Sequence, residues 1–282
     1  MRIDSCGMLR RFAAGPALGS TYPLLRMNEE WRRTGGRGIC LGLLDTDVDE
    51  RIPDLSGAEL FIKHFTASTQ CDESCAGHGS HSAGLLVGQG HCQIRGIAPR
   101  IRLLVANVFD STGAASPEAV AAAIAWVVSS TAQIVALPLG EQTEHRQIAH
   151  EIERSVTEKG TLFFAAAGNC HPEPVLFPAR HPLVVAVGAA DFKGVLLPEC
   201  SRTPSLDLVA PGWNIHGPIR RQVIRQRRGS SVACVVAAGI AALALSAGAT
   251  WPHPMCRTSI LTALRRSQDG RHDATVVAPS EQ

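Results

Sequence analysis

The sequence carries almost no excess charge of either sign. Lysine and arginine number 27 and aspartate and glutamate 25 in 282 residues, a formal net charge of +2. That balance offers a polyanion no long-range attraction, so no nucleic-acid partner is expected. The first twenty residues, MRIDSCGMLRRFAAGPALGS, contain no uninterrupted apolar run, and no secretory signal is expected there. The nine cysteines are an odd number without a repeating spacing. They read as reduced thiols of a cytoplasmic protein rather than as a disulfide framework. Only 232–249 is apolar over enough length to suggest a membrane span. Its Ala/Gly-rich composition, directly after a serine turn, reads instead as a buried helix, and no membrane partner is expected. The chain has no internal repeat, and nothing in it sets an oligomeric state.

Against these absences stands a composition that is 45% hydrophobic and 18% charged, enough for a sizeable core. GICLGLL (38–44), RLLVANVF (102–109), 132–139, 161–167 and 183–190 read as buried strands. Ser116 is a helix N-cap with Pro117 behind it, opening an Ala-rich helix to Ser129. An amphipathic helix is predicted over 142–159, with Gly160 at its end. Strands alternating with helices at this spacing predict an α/β fold, a mainly parallel central sheet with helices on both faces. Residues 1–36 read as an N-terminal extension, with a short helix over 24–31 and a flexible lead over 32–36. Residues 37–266 form the main domain, ending in a helix over 255–266, and 267–282 form a polar tail.

Four small blocks carry chemistry. Asp45 follows the first strand, at the carboxyl end where open α/β sheets place ligands. His78 opens the helix HGSHSAGLLVG, in reach of a role as general base. Asn169 follows Ala-Ala-Ala-Gly at a strand's carboxyl end, and its amide would serve as a neutral donor to an oxyanion. Ser231 stands at the N-terminus of the apolar helix, where free backbone N–H groups and the helix dipole favour a nucleophile. Each block has a plainer meaning: an Asx-turn, a helix start, a turn asparagine, a serine N-cap. Two metal readings also exist. Asp45, Asp47 and Asp49 begin like a calcium loop but lack its glycine and distal glutamate. Cys71, Cys75, His78 and His81 are zinc-ligand types, at a tighter spacing than a finger uses.

Taken together and in this order, the blocks resemble the subtilisin-like serine proteases. Asp45-Thr46-Asp47-Val48 resembles the family's aspartate block, and His78-Gly79-Ser80-His81-Ser82-Ala83-Gly84 its histidine block. Ala166-Ala167-Gly168-Asn169 resembles the oxyanion block, and Gly229-Ser230-Ser231-Val232-Ala233 the serine block. The resemblance implies a catalytic triad of Asp45, His78 and Ser231, with Asn169 in the oxyanion hole and peptide-bond hydrolysis as the activity. It also implies that Leu137, Pro138, Leu139 and Gly140 form the substrate-binding edge. Within the family, LSGAEL (55–60), RGIAPR (95–100) and APGWNI (210–215) are similar to the cyanobactin-maturation proteases, which remove leader segments from ribosomally made precursors. The implied substrate is thus a peptide or protein precursor. The family's usual calcium sites find no counterpart, so neither metal nor cofactor is expected.

Departures from the family pattern are Asp47, where a glycine is usual, and Pro138, which has no N–H to offer a peptide. They motivate a rival expectation, a catalytically silent fold that binds a peptide as an added strand. The segment 214–228 reads as an exposed hairpin bearing Arg220, Arg221, Arg225, Arg227 and Arg228. These arginines either face solvent or read an acidic segment of the precursor.

Overall fold

The computed structural model describes residues 29–66, 77–202, 205–221 and 223–248. Seven parallel strands form one sheet in the order β2-β3-β1-β4-β5-β6-β7. They are β1 (Cys40–Asp45), β2 (Glu59–His64), β3 (Arg102–Asn107), β4 (Ile134–Leu137), β5 (Leu162–Ala166), β6 (Val184–Ala190) and β7 (Leu208–Pro211). Every residue of β1, β4, β5 and β6 is buried. Successive side chains of a strand point to opposite faces, so both faces of the central sheet are covered. The sheet order steps from β1 to β3 on one side and to β4 on the other, which opens a crevice at the carboxyl end of β1.

Two groups of helices cover the sheet. α3 (Pro117–Ser129) and α4 (Arg146–Lys159) pack together, and α3 lies on β1. Gly42 of β1 admits this contact, since a Cβ there would stand 2.8 Å from Val127 Cβ. α5 (Ser230–Ser246) runs along β4 to β7 and touches α2 (His78–Val87) and α1 (Glu29–Thr34). Val232 to Ala244 are buried without exception, which matches a run with no polar side to turn outward. A separate antiparallel hairpin, β8 (Ile215–Arg220) with β9 (Val223–Arg227), leads directly into α5.

Several expected boundaries move. The strand expected over 132–139 ends at Leu137, because Pro138 cannot extend the ladder. The helix expected from Gln142 starts only at Arg146. Glu141 is engaged instead with Phe177, each donating its N–H to the other's carbonyl at 2.8 Å. Arg32–Gly36 is not a flexible lead: α1 runs to Thr34, and Gly35 and Gly36 are buried against Arg100 and Ile101 with positive φ. The hairpin is not exposed throughout either, since Ile215, Gly217 and Pro218 are buried on its inner side. Ser116 caps α3 as expected, accepting from Ala119 N at 3.1 Å, and Gly160 ends α4 in the left-handed conformation. The expected helices over 24–31 and 255–266 lie wholly or largely outside the described residues, as do Cys71, Cys75 and the polar tail.

Candidate active site

Asp45 is the last residue of β1 and its side chain is fully buried. Its Oδ1 accepts from Thr46 N at 2.7 Å and lies 2.6 Å from His78 Nδ1. Those two contacts orient the ring, because a buried carboxylate fixes the proton on Nδ1 and leaves Nε2 free to accept. Nε2 faces Ser231 Oγ at 3.2 Å. Residues 33 and 153 positions apart in the chain thus form one continuous line, from carboxylate through imidazole to hydroxyl.

The backbone keeps this line in place. Gly77 precedes α2 with φ 74°, a left-handed conformation that glycine adopts without strain. Gly79 N donates to Thr46 Oγ1 at 2.8 Å, and Ser80 Oγ accepts from Asp49 N at 2.9 Å. The start of α2 is therefore tied to the loop that carries Asp45. Asp47 does not need positive φ, so an aspartate fits this loop unstrained. The three carboxylates of the loop separate in character. Asp45 is buried, Asp47 is 39% exposed with His64 Nδ1 at 4.0 Å, and Asp49 pairs with Arg51 at 2.7 Å. Arg51 holds the Asp49 carboxyl below its ordinary range.

Around Ser231 the turn is equally constrained. Gly229 has φ 117°, and a Cβ there would come within 2.9 Å of Asn169 Nδ2. Asn169 Oδ1 accepts from Ser230 N at 2.8 Å, and Gly168 N donates to Ser230 Oγ at 3.0 Å. With Oδ1 committed, the amide Nδ2 is the end of Asn169 left to face a ligand. The first N–H groups of α5 have no acceptor within the helix. Donors from Asn169 and from the helix start therefore converge on the space beside Ser231 Oγ.

That space is a cavity of about 530 Å³ bordered by His78, Ser231 and Asn169. Leu139, Gly140 and Glu141 form one wall, and Cys170, Leu176 and Phe177 another. Phe109, Ala115, Val120 and Ile148 add apolar side chains to its lining. Pro138 is also on its border, so three of the four residues expected at a substrate edge line the cavity. Leu137 does not; it is buried in β4, paired with Ala165. Sequence reasoning missed the opposite walls. Phe109 stands two residues past β3, and Cys170 directly follows Asn169, so strand-end position was the signal for both.

His81 takes no part in this line. It is buried, with Nε2 on the carbonyl of Ile215 at 2.9 Å, and burial pushes its pKa down to about 3. Among the described residues no group of three or more His, Cys, Asp or Glu side chains is placed to hold a metal. Burial also lowers Arg227 from the usual guanidinium value, against the pull of the Asp45 carboxylate.

A hydroxyl backed by imidazole and a buried carboxylate, beside converging amide donors at the end of a parallel sheet, is the layout of a serine hydrolase. The model of the subtilase family, peptidase S8, matches residues 36–277, and the chain belongs to that family. It is 29% identical over 229 residues to subtilisin E of Bacillus subtilis (strain 168), covering 79% of this chain but only 59% of that protein. Among solved structures it is similar to the prenylagaramide maturation protease PagA, at 27% identity and a TM-score of 0.70 over 88% of this chain and 92% of that one. The patellamide maturation protease PatA is 29% identical, with a TM-score of 0.65 over 74% of this chain and 79% of that one.

Proposed function

We propose that the chain is a serine endopeptidase whose triad is Asp45, His78 and Ser231 and whose substrate is a ribosomally made precursor peptide, from which it removes a leader. The observation that carries the reading is the unbroken line of 2.6 Å and 3.2 Å contacts ending on the serine hydroxyl. Ser231 Oγ attacks the scissile carbonyl carbon and its proton passes to His78 Nε2. The Asp45 carboxylate holds Nδ1–H and stabilises the imidazolium. Asn169 Nδ2 and the Ser231 N–H donate to the oxyanion. The tetrahedral species collapses, and the leaving amine departs with the proton from His78. Water then attacks the acyl ester carbonyl, giving its proton to His78, and as the C–Oγ bond breaks His78 returns that proton to Ser231 Oγ and the acid leaves. No metal or cofactor enters this sequence.

The substrate backbone runs along 137–140. Leu137 contributes as the strand end that sets this edge, and Pro138 only through its carbonyl. The maturation proteases PagA and PatA, as they are named, support a precursor as the substrate. The arginines of the β8–β9 hairpin support an acidic segment in that precursor. The described cysteines, Cys40, Cys92, Cys170, Cys200 and Cys234, are free thiols, which favours a reducing, cytoplasmic setting. No described helix is long and apolar enough to cross a membrane. Residues 37–266 are the peptidase domain in this reading, between an N-terminal extension and a C-terminal tail.

Ser231→Ala tests it directly. Turnover of a cleavable peptide should fall on the order of 10⁶-fold, the size this loss has in subtilisin itself. A fluorophosphonate should label the unsubstituted protein at Ser231 alone. Equal turnover in both proteins would remove the triad.

A further inference from the structure

We infer that Leu176 closes the part of the cavity nearest the nucleophile, so that the peptidase cuts after a small residue: glycine, alanine or serine. This rests on Ser231 being the nucleophile, and it goes further by naming which side chains the site admits. A carbonyl carbon at Ser231, with its oxygen toward Asn169, fixes where the residue owning that carbonyl must lie. Its side chain hangs between the 138–140 edge and the 168–170 segment. Leu176 already occupies that gap. A Cβ on Gly168 would stand 2.8 Å from Leu176 Cγ and 3.0 Å from its Cδ1. A Cβ on Gly140, across the gap, would stand 3.1 Å from Leu176 Cβ and 3.4 Å from its Cδ1. One side chain thus touches both walls.

Nor is it free to swing away. Leu176 N donates to Ala167 O at 2.9 Å, one residue before Gly168. On the other side, Phe177 and Glu141 exchange two backbone hydrogen bonds of 2.8 Å, one residue after Gly140. The segment is stitched to both walls at the height of the leucine. Phe109, Val120 and Ile148 line the same cavity. The constriction lies at the position of the residue whose carbonyl is attacked.

The test is a peptide set that varies only the residue before the scissile bond. The unsubstituted protein should show kcat/KM at least about 30-fold higher for Ala or Ser than for Phe or Leu, the discrimination a steric pocket provides. In Leu176→Ala the Ala-to-Phe ratio should fall at least tenfold. In Leu176→Phe, a bulkier plug that keeps the segment filled, only the glycine peptide should remain a good substrate. Cleavage after Phe as fast as after Ala in the unsubstituted protein would overturn the inference, as would a ratio unmoved by either variant. If no peptide is cut, the function proposed above fails, and the slot is judged by binding. Product acids ending in Ala should then bind the Ser231→Ala protein at least tenfold tighter than those ending in Phe. Equal binding overturns the inference there too.

Discussion

At Gly79 a hydrogen is the largest side chain the site admits. A Cβ there would lie within 2.8 Å of the Asp47 carbonyl and still closer to that of Thr46, and backbone atoms on a buried loop cannot step aside. Gly79→Ala should push the start of α2 away from the Asp45 loop and open the 2.6 Å contact of His78. A displacement near 1 Å in such a constellation costs on the order of 10²-fold in rate. The expected result is a fall of that size in kcat and in the rate of fluorophosphonate labelling, with the circular dichroism spectrum retained. Unchanged labelling would mean that the loop yields. At this scale the sequence was legible for residue types and mute on their separation. Asp45, Asp47 and Asp49 are equivalent as letters. Burial singles out the first, and burial depends on β1 being flanked by β3 and β4, which no local pattern encodes.

Among the elements, the strands and α5 were legible because their periodicity and apolar length admit few alternatives. The start of α4 was not, because what delays it is Glu141 pairing with a residue 36 positions away at Phe177. The hairpin was legible in outline only. Gly84 admits Pro218, Gly217 admits the His81 ring, and Gly77 admits Ile219, so β8 is seated on the helix that carries His78. In the proposed mechanism His78 hands its proton to the leaving amine, which would place the leaving segment on the hairpin side. Arg220, Arg221 and Arg225 are exposed there, whereas Arg228 is held by Glu199 at 3.2 Å and lies over the Trp213 ring. Placing three acidic residues after the scissile bond should raise kcat/KM at 50 mM salt. The gain should shrink several-fold at 500 mM, as the screening length falls well below 10 Å. Replacing the three exposed arginines by glutamine should flatten that response. A gain indifferent to salt would assign those arginines to solvent.

Across the whole molecule, the same seating makes acid stability a readout of fold integrity. His81 is neutral in the folded protein, its pKa brought from 6.5 to about 3 by burial first, against the hydrogen bond of its ring to the Ile215 carbonyl and with the Arg227 charge adding to the fall. Unfolding releases it to bind a proton below about 6.5. Its contribution is fully present above that pH and is lost as pH falls toward 3. Urea unfolding should thus show a free energy that drops more steeply between pH 6 and pH 4 in the unsubstituted protein than in His81→Leu. The difference in slope should be about 1.4 kcal/mol per pH unit. Parallel slopes would mean that His81 is hydrated in the native state.

The proposed triad and its amide donor sit at positions 45, 78, 169 and 231, and the last of them rides on the helix that packs against β4 to β7. Under the proposed mechanism, a chain without that helix would hold the carboxylate and the imidazole but no nucleophile. If the proposed triad is correct, cutting power depends on the arrival of that one helix, and a chain lacking it should not cleave peptide.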